Sequence, residues 1–369
     1  MSLAGRWIAT NPSIKNRAGF HANALIAVTK PKRGYVSLLH ELADYLRSVK
    51  RGTYYVRAFM NGTLAEPYEI RPEVPVETNV LCDRRETYLE TDDGEIIVPM
   101  KVAVLTVGVD CQKNRLEAEC LGTAENGETF AIEYKIFHGN TELRDVYQRL
   151  DEWARQKRKH ESGWLIWPEV ICVDSAYRSE AVYRYTRSCV GRRVYACRGD
   201  RGWSPLGSNW INRSNNEDMK EHLWIMKKDG AIESVYSRLQ LETPGPGFQH
   251  YPSNISAGYD ATYFKQITSQ VLKVTASGQR FYTVPSTDTR DEALAVRVLA
   301  EAGVATLPPI DFEEIARRFA GPPPSGMAWR DSTPAPTPVT EEEEESDVVR
   351  EFRQMIGAPA KKSFIRDFK

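Results

Sequence analysis

The chain has 369 residues, 41% of them hydrophobic, which is enough for two domains or for one large domain with extensions. A formal net charge of -1 excludes a global basic field, so any contact with nucleic acid has to come from local patches. The six cysteines show no C-x-x-C spacing, which speaks against a structural zinc site, and the lack of a bilayer-length apolar run or a secretory leader makes a cytosolic protein with reduced core thiols the expectation, with no membrane as partner.

In chain order, SLLHELADYLRSVK (37–50) has helical periodicity, with Leu38, Leu39, Leu42 and Leu46 on one side. TLAEPYEIRPEVPVE (63–77) is rich in Pro and Glu and reads as a linker. From about residue 100 the pattern turns α/β. VAVLTVGVD (102–110), RLEAECLGT (115–123) and TFAIEYKIFHG (129–139) read as three successive antiparallel strands. LRDVYQRLDEWARQKR (143–158) reads as a helix, EVICVDSAY (169–177) as a fourth strand, SEAVYRYTRSC (179–189) as a helix and RRVYACRGD (192–200) as a fifth strand. This succession matches the ribonuclease H-like fold, a mixed central sheet flanked by helices. The stretch from Gly321, with its Glu341–Glu345 run, reads as a flexible acidic linker. SDVVREFRQMIGAPAKKSFIRDFK (346–369) reads as a short amphipathic tail suited to interaction or left frayed.

Two predicted strands end in an acid, Asp110 and Asp174. A lone buried carboxylate costs several kcal/mol or stays protonated, so such a residue either caps a turn or faces a cleft and holds a cation. Ends of neighbouring strands in an α/β sheet meet at one crevice, and two carboxylates brought together there repel unless a cation sits between them. Magnesium and manganese favour oxygen ligands, and two-metal phosphodiester hydrolysis needs acids that hold ions about 3.5–4 Å apart. A third acid is available in TDTRDEALAVRVLAEAG, where Thr287 or Thr289 is expected to cap a helix whose first turn carries Asp291 and Glu292. The same two acids are also what a helix dipole favours at an N-terminus.

SAYRSEAVYRYTRSCVGRRVYACRGDRGW interleaves tyrosines with Arg178, Arg184, Arg187, Arg198 and Arg201. They are candidate contacts to a DNA backbone, or else a solvated helix face. Arg178 follows Asp174 closely enough to meet a phosphate there. TPGPGFQHYP (243–252), with Phe248 and His250, is a Pro/Gly loop that could border the cleft. The six histidines show no metal spacing. No G-x-x-x-x-G-K-[ST] phosphate loop occurs, so no ATP hydrolysis is expected from this chain.

Seven segments taken together resemble the lambda-type (GpA) family of phage terminase large subunits: GRWIATNPSIKNRAGFHANAL, FMNGTLAEPYE, LTVGVDCQKNRLEAECLG, VICVDSAYRSEAVY, YSRLQLETPGPGFQHYP, YFKQITSQV and TRDEALAVRV. They keep the family's order over about residues 5 to 300. The resemblance implies a ribonuclease H-like nuclease that cuts concatemeric double-stranded DNA with two Mg2+ or Mn2+ ions, held by Asp110, Asp174 and Glu292. It also implies a terminase small subunit and a portal protein as partners. Where the family ends its site with Asn-Glu-Ala-Leu-Asp, this chain has Asp291, Glu292, Ala293, Leu294 and Ala295, so Asp291 is the substitute for the missing last acid. On this reading residues 1–75 are the end of an ATPase part with its linker, in a chain excised or naturally split from that half. Residues 76–305 are then the nuclease domain, and 306–369 an acidic linker and interaction tail. The competing expectations are a catalytically inactive module that binds DNA or the portal, for which Ala295 speaks, and a junction-cutting resolvase on the same fold.

Overall fold

An almost unbroken apolar strand is stable only when both of its faces are covered. β1 (Val104–Cys111) is such a strand, and every residue in it is buried. In the computed structural model, which describes residues 45, 59–65, 76–202, 210–214, 223–275 and 278–329, it lies inside an eight-stranded sheet. The helix expected over 37–50, Tyr45 apart, most of the linker at 63–77 and the tail beyond 329 lie outside the described residues.

A short helix, α1 (Thr78–Asp83), leads in. β2 (Arg115–Thr123) and β3 (Thr129–His138) follow β1 as antiparallel neighbours. After α2 (Arg144–Ala154) come a small hairpin of β4 (Arg158–Lys159) and β5 (Leu165–Ile166), then β6 (Pro168–Asp174), which returns parallel to β1 on its other side. α3 (Ser179–Ser188) leads to β7 (Val194–Asp200), parallel to β6. β8 (Ile211–Arg213), β9 (Leu223–Lys227) and the short β10 (Gln249–His250) complete the order β10-β3-β2-β1-β6-β7-β9-β8. This is the ribonuclease H-like, mixed-sheet arrangement expected from the sequence, and the expected strand and helix order is reproduced within a few residues at each end.

Side-chain alternation assigns the two layers. Val107, Val109, Leu116, Ala118, Ile171 and Val173 face α2 and α3, whose buried Leu150, Trp153, Val182 and Tyr185 cover them. The opposite face of β6 and β7, with Val170, Cys172 and Cys197, meets α4 (Lys228–Leu239), α5 (Ala261–Ile267) and α6 (Glu292–Thr306). α6 is apolar nearly all round, as a fully buried helix must be. A Cβ on Gly108 of β1 would lie 2.0 Å from the Val296 carbonyl oxygen and 2.5 Å from the Ala300 nitrogen, so only glycine admits α6 at this depth. Thr106, two residues earlier, donates its hydroxyl to the Ala300 carbonyl at 2.7 Å. On β2, Glu119 is fully buried and takes two bonds from the equally buried Arg297 of α6, at 3.1 and 2.5 Å, with the hydroxyls of Tyr259 and Tyr263 adding two more.

Two expectations change here. Asp291, and not Thr287 or Thr289, stands at the N-cap of α6, while Thr289 shares a 2.9 Å hydrogen bond with Ser286. Packing also runs on past residue 305. α7 (Phe312–Ala320) sets Phe319 against His160 and Trp164, Leu165 donates its N–H to Met327, and Trp329 bonds the His160 carbonyl. The proline content suggested a linker, but Phe319, Met327 and Trp329 are apolar anchors that bind 306–329 to the β4–β5 hairpin.

Gly108→Ala should destabilise the domain by about 1–3 kcal/mol or more, since backbone rather than a pliable side chain is in the way. Denaturant titration followed by circular dichroism measures this. Arg297→Met should cost about 3–5 kcal/mol by stranding a buried Glu119 charge, and the double variant with Glu119→Gln should recover much of that loss.

Candidate active site

β1 and β6 run parallel, so Asp110 and Asp174 emerge at the same end of adjacent strands. Register also puts Glu117 of β2 directly across from Asp110. Directly opposed residues in an antiparallel pair hold their Cβ atoms about 4.5–5.5 Å apart. Asp110 and Asp174 share the residue parity of Gly108 and Cys172, which face α6, and α6 begins with Glu292. Three strand carboxylates and one helix carboxylate therefore converge beside the N-terminus of α6.

Asp110 is 6% exposed and accepts a 2.6 Å bond from the Gln112 amide. Burial pushes its pKa up to about 7; the Gln112 bond pulls the other way, while Asp174, Glu117 and Glu292 add to the rise. Burial also raises Asp174, opposed by the backbone N–H groups of Ala176 and Ser175 and by the charges of Lys228 and Arg198.

The other two acids are paired. Glu117, with no exposed surface, accepts from Arg115 Nε at 2.5 Å, from Arg290 at 2.5 Å and, in a short bond, from the Tyr134 hydroxyl. Glu292 accepts from Arg115 at 2.6 Å and from Arg290 Nε at 3.2 Å. The donors suit a hard divalent cation, since all four are carboxylates and Asp110 is a buried acid short of positive charge. Yet among the described residues no three such side chains stand close enough to share one ion, because Arg115 and Arg290 draw Glu117 and Glu292 to themselves.

The expected residues divide. Asp110, Asp174 and Glu292 are brought together. Asp291 is not among the acids that act on Asp110, and Gln270 bonds its Oδ2 at 2.5 Å. Arg198 acts on Asp174 through charge and is exposed on β7, and Arg201 lies 4.8 Å over the Phe281 ring. Arg178 adopts a left-handed backbone at the start of α3 and is ion-paired with Glu142. Arg184 and Arg187 are exposed on α3, which covers the sheet face opposite the acids. The loop with Phe248 and His250 does not border the cleft. Both side chains are buried at the β10 edge, with His250 stacked on Phe130 and bonded to Glu86 at 2.8 Å. Sequence reasoning missed Glu117, Arg115, Arg290 and Gln112. The available signal was the polar row Arg115, Glu117, Glu119 in a strand whose other row is apolar. In a sheet covered on both faces, such a row has to be satisfied from within.

Residues 17–311 match the family model described as terminase large subunit gpA, endonuclease domain. The chain is 26% identical over 267 residues to the large terminase subunit of Escherichia phage lambda, covering 71% of this chain and 40% of that protein. It is 25% identical over 285 residues to the large terminase subunit of Enterobacteria phage P21, covering 73% and 42%. It thus spans about two fifths of the length of these relatives. Similar solved structures include the large terminase nuclease from thermophilic phage G20c, at 13% identity and TM-score 0.36 over 63% of this chain and 98% of that one. Another is the nuclease domain of the large terminase subunit gp2 of bacterial virus Sf6, at 7% identity and TM-score 0.38 over 62% and 97%. Likeness at that level adds nothing to the family match. That match takes in well over half of the chain, and the protein belongs to the endonuclease-domain family of gpA-type phage terminase large subunits.

Proposed function

We propose that this domain cuts double-stranded DNA by divalent-metal-assisted phosphodiester hydrolysis, with Asp110 and Asp174 as the primary ligands and Glu292 as the third. The observation that carries the reading is the buried Asp110, raised to about 7 by desolvation and by three neighbouring acids at the shared end of β1 and β6. Two Mg2+ or Mn2+ ions, when bound, would supply activation of the attacking water and charge relief at the leaving oxygen. The chain's own residues do the rest. Gln112 orients the Asp110 carboxylate. Backbone N–H groups and the nearby charges of Lys228 and Arg198 counter part of the rise that burial imposes on Asp174. Arg198 and Arg201, exposed at the end of β7, contact backbone phosphates without reading sequence. Asp291, which is not among the acids acting on Asp110, is left outside the proposed ligand set. Concatemeric DNA as substrate, and a small subunit and portal as partners, come with the family resemblance and form part of the proposal.

A non-cutting DNA- or portal-binding module is the second reading. Ala295, where the family has an acid, and the arginine pairing of Glu292 favour it.

Supercoiled plasmid incubated with Mn2+, Mg2+ or EDTA separates the two. Cutting should require the metal and should fall in Asp110→Ala by more than the roughly 10–100-fold typical of an outer-shell partner. No cutting by folded wild type in either metal would overturn the nuclease reading and favour the second.

The acid cluster also sets a pH dependence. Asp110 has a folded-state pKa near 7, above the ordinary carboxylate value of 3.8, so its favourable contribution is complete below about pH 4 and is lost as pH rises through 7. In metal-free protein, Asp110→Asn should therefore stabilise at pH 8, by up to about 4 kcal/mol, and have little effect at pH 4. Melting curves of the two proteins with EDTA at both pH values check the sign. Mn2+ affinity should weaken as pH falls below 7, because the ion competes with the Asp110 proton.

A further inference from the structure

The four carboxylates differ in how their charge is met. Glu117 and Glu292 are each bound by both Arg115 and Arg290, whereas Asp110 has only the Gln112 amide, and Asp174 is reached by Arg198 and Lys228 through charge alone. Arg115 and Arg290 are engaged by Glu117 and Glu292, so above pH 7 Asp110 and Asp174, which form no direct ion pair among the described residues, offer two carboxylates to one divalent ion, with Lys228 and Arg198 offsetting part of that charge from a distance. A second ion would need further negative charge, and beyond Asp174 the acids that act on Asp110 are Glu117 and Glu292.

The two arginines are not equivalent. Arg115 is rooted on β2, and its side chain is 19% exposed. Arg290 stands on the segment before α6, and its side chain is 45% exposed. Already partly hydrated, it can swing out into solvent, while Glu117, with no exposed surface, cannot follow it. Glu117 also keeps Tyr134 and Arg115 as partners when Arg290 departs.

We propose that Arg290 is a built-in, exchangeable counter-cation: it bridges Glu117 and Glu292 in the metal-free domain and is displaced when a second divalent ion joins the one held by Asp110 and Asp174. Glu117 is then a fourth carboxylate of the site, acting as charge reservoir and as positioning partner for Glu292. The inference rests on the metal-dependent reading above and deepens it. It accounts for a site with the donors for two ions but without a ready-made three-carboxylate cage among the described residues. Displacement is favourable in principle because a divalent ion interacts with the same carboxylates about twice as strongly as one guanidinium at equal distance.

The test is a Mn2+ titration of the 369-residue chain at pH 8, followed by calorimetry and by the electron paramagnetic resonance of free Mn2+. Wild type, Arg290→Gln, Arg290→Lys and Arg198→Gln are compared. Wild type should bind one ion more tightly and a second more weakly. Arg290→Gln should tighten the second step by about tenfold or more while changing the first by less. Arg198→Gln removes the same charge near Asp174 without removing an ion pair, so it should shift both steps alike and by a smaller factor. Arg290→Lys should lie between wild type and Arg290→Gln. Equal effects of Arg290→Gln and Arg198→Gln, or a weakened second step in Arg290→Gln, would overturn the exchange while leaving the metal-dependent nuclease standing. Absence of Mn2+ binding in wild type and all variants would overturn both. Circular dichroism melts of each variant show that the titrated protein is folded.

Discussion

The site depends on how closely α6 lies on the sheet. Glycine at position 108 removes the one side chain that would hold the helix off β1, and the Thr106 hydroxyl then fixes its height through the Ala300 carbonyl. One turn further along, the buried Arg297 binds Glu119 on β2 and fixes the helix laterally and in rotation. Helix rotation decides where its first residue points, and that residue is Glu292. The placement of one carboxylate is thus set by contacts up to two turns away, in a core where displacing backbone costs more than the site could recover.

The site concentrates negative charge in a place with little water. Each acid could be neutralised by a proton, an arginine or a metal ion, and the domain uses the first two unequally. Asp110 answers by holding its proton to about pH 7, whereas Glu117 and Glu292 are met by guanidinium groups. A site of this kind responds both to pH and to divalent ions, because protons, arginine and metal compete for the same oxygens. The Glu119–Arg297 pair, only two residues along β2, differs in kind: it is sealed, bonded to two tyrosines and wholly structural.

Division of labour between the faces of the sheet follows from alternation. The α2–α3 face is apolar apart from Glu133 of β3, which Trp153 and Arg158 engage, and Arg184 and Arg187 lie on its outer, solvent side. The α6 face carries all the acids. An arginine-rich stretch that looked like one patch in the sequence is therefore split. Arg178 is engaged by Glu142, two arginines lie on the far side, Arg201 stacks over Phe281, and Arg198 remains close enough to act on Asp174.

Much of this was legible in the sequence. The apolar runs ending in Asp110 and Asp174 identified two buried strands and placed both acids at strand ends, because inside a covered strand a charge needs a partner, as Glu117 and Glu119 have, and the sequence shows none for these two. The cap-and-acid pattern before α6 brought Glu292 into view, and the ordered motifs pointed to the family. What the sequence could not show is partnership across distance. Glu117 and Glu119 have the same type, strand and face, yet one serves the candidate site and the other the core, and what separates them is which distant arginine reaches each: Arg290, just before α6, for Glu117 and Arg297, within α6, for Glu119. The adjacent acids Asp291 and Glu292 were likewise indistinguishable by spacing. The helix start turns one toward Gln270 and the other toward the cluster. Local patterns determine which residues must be buried and at which end of a strand a charge emerges. Only the tertiary packing of α6 decided which charges meet.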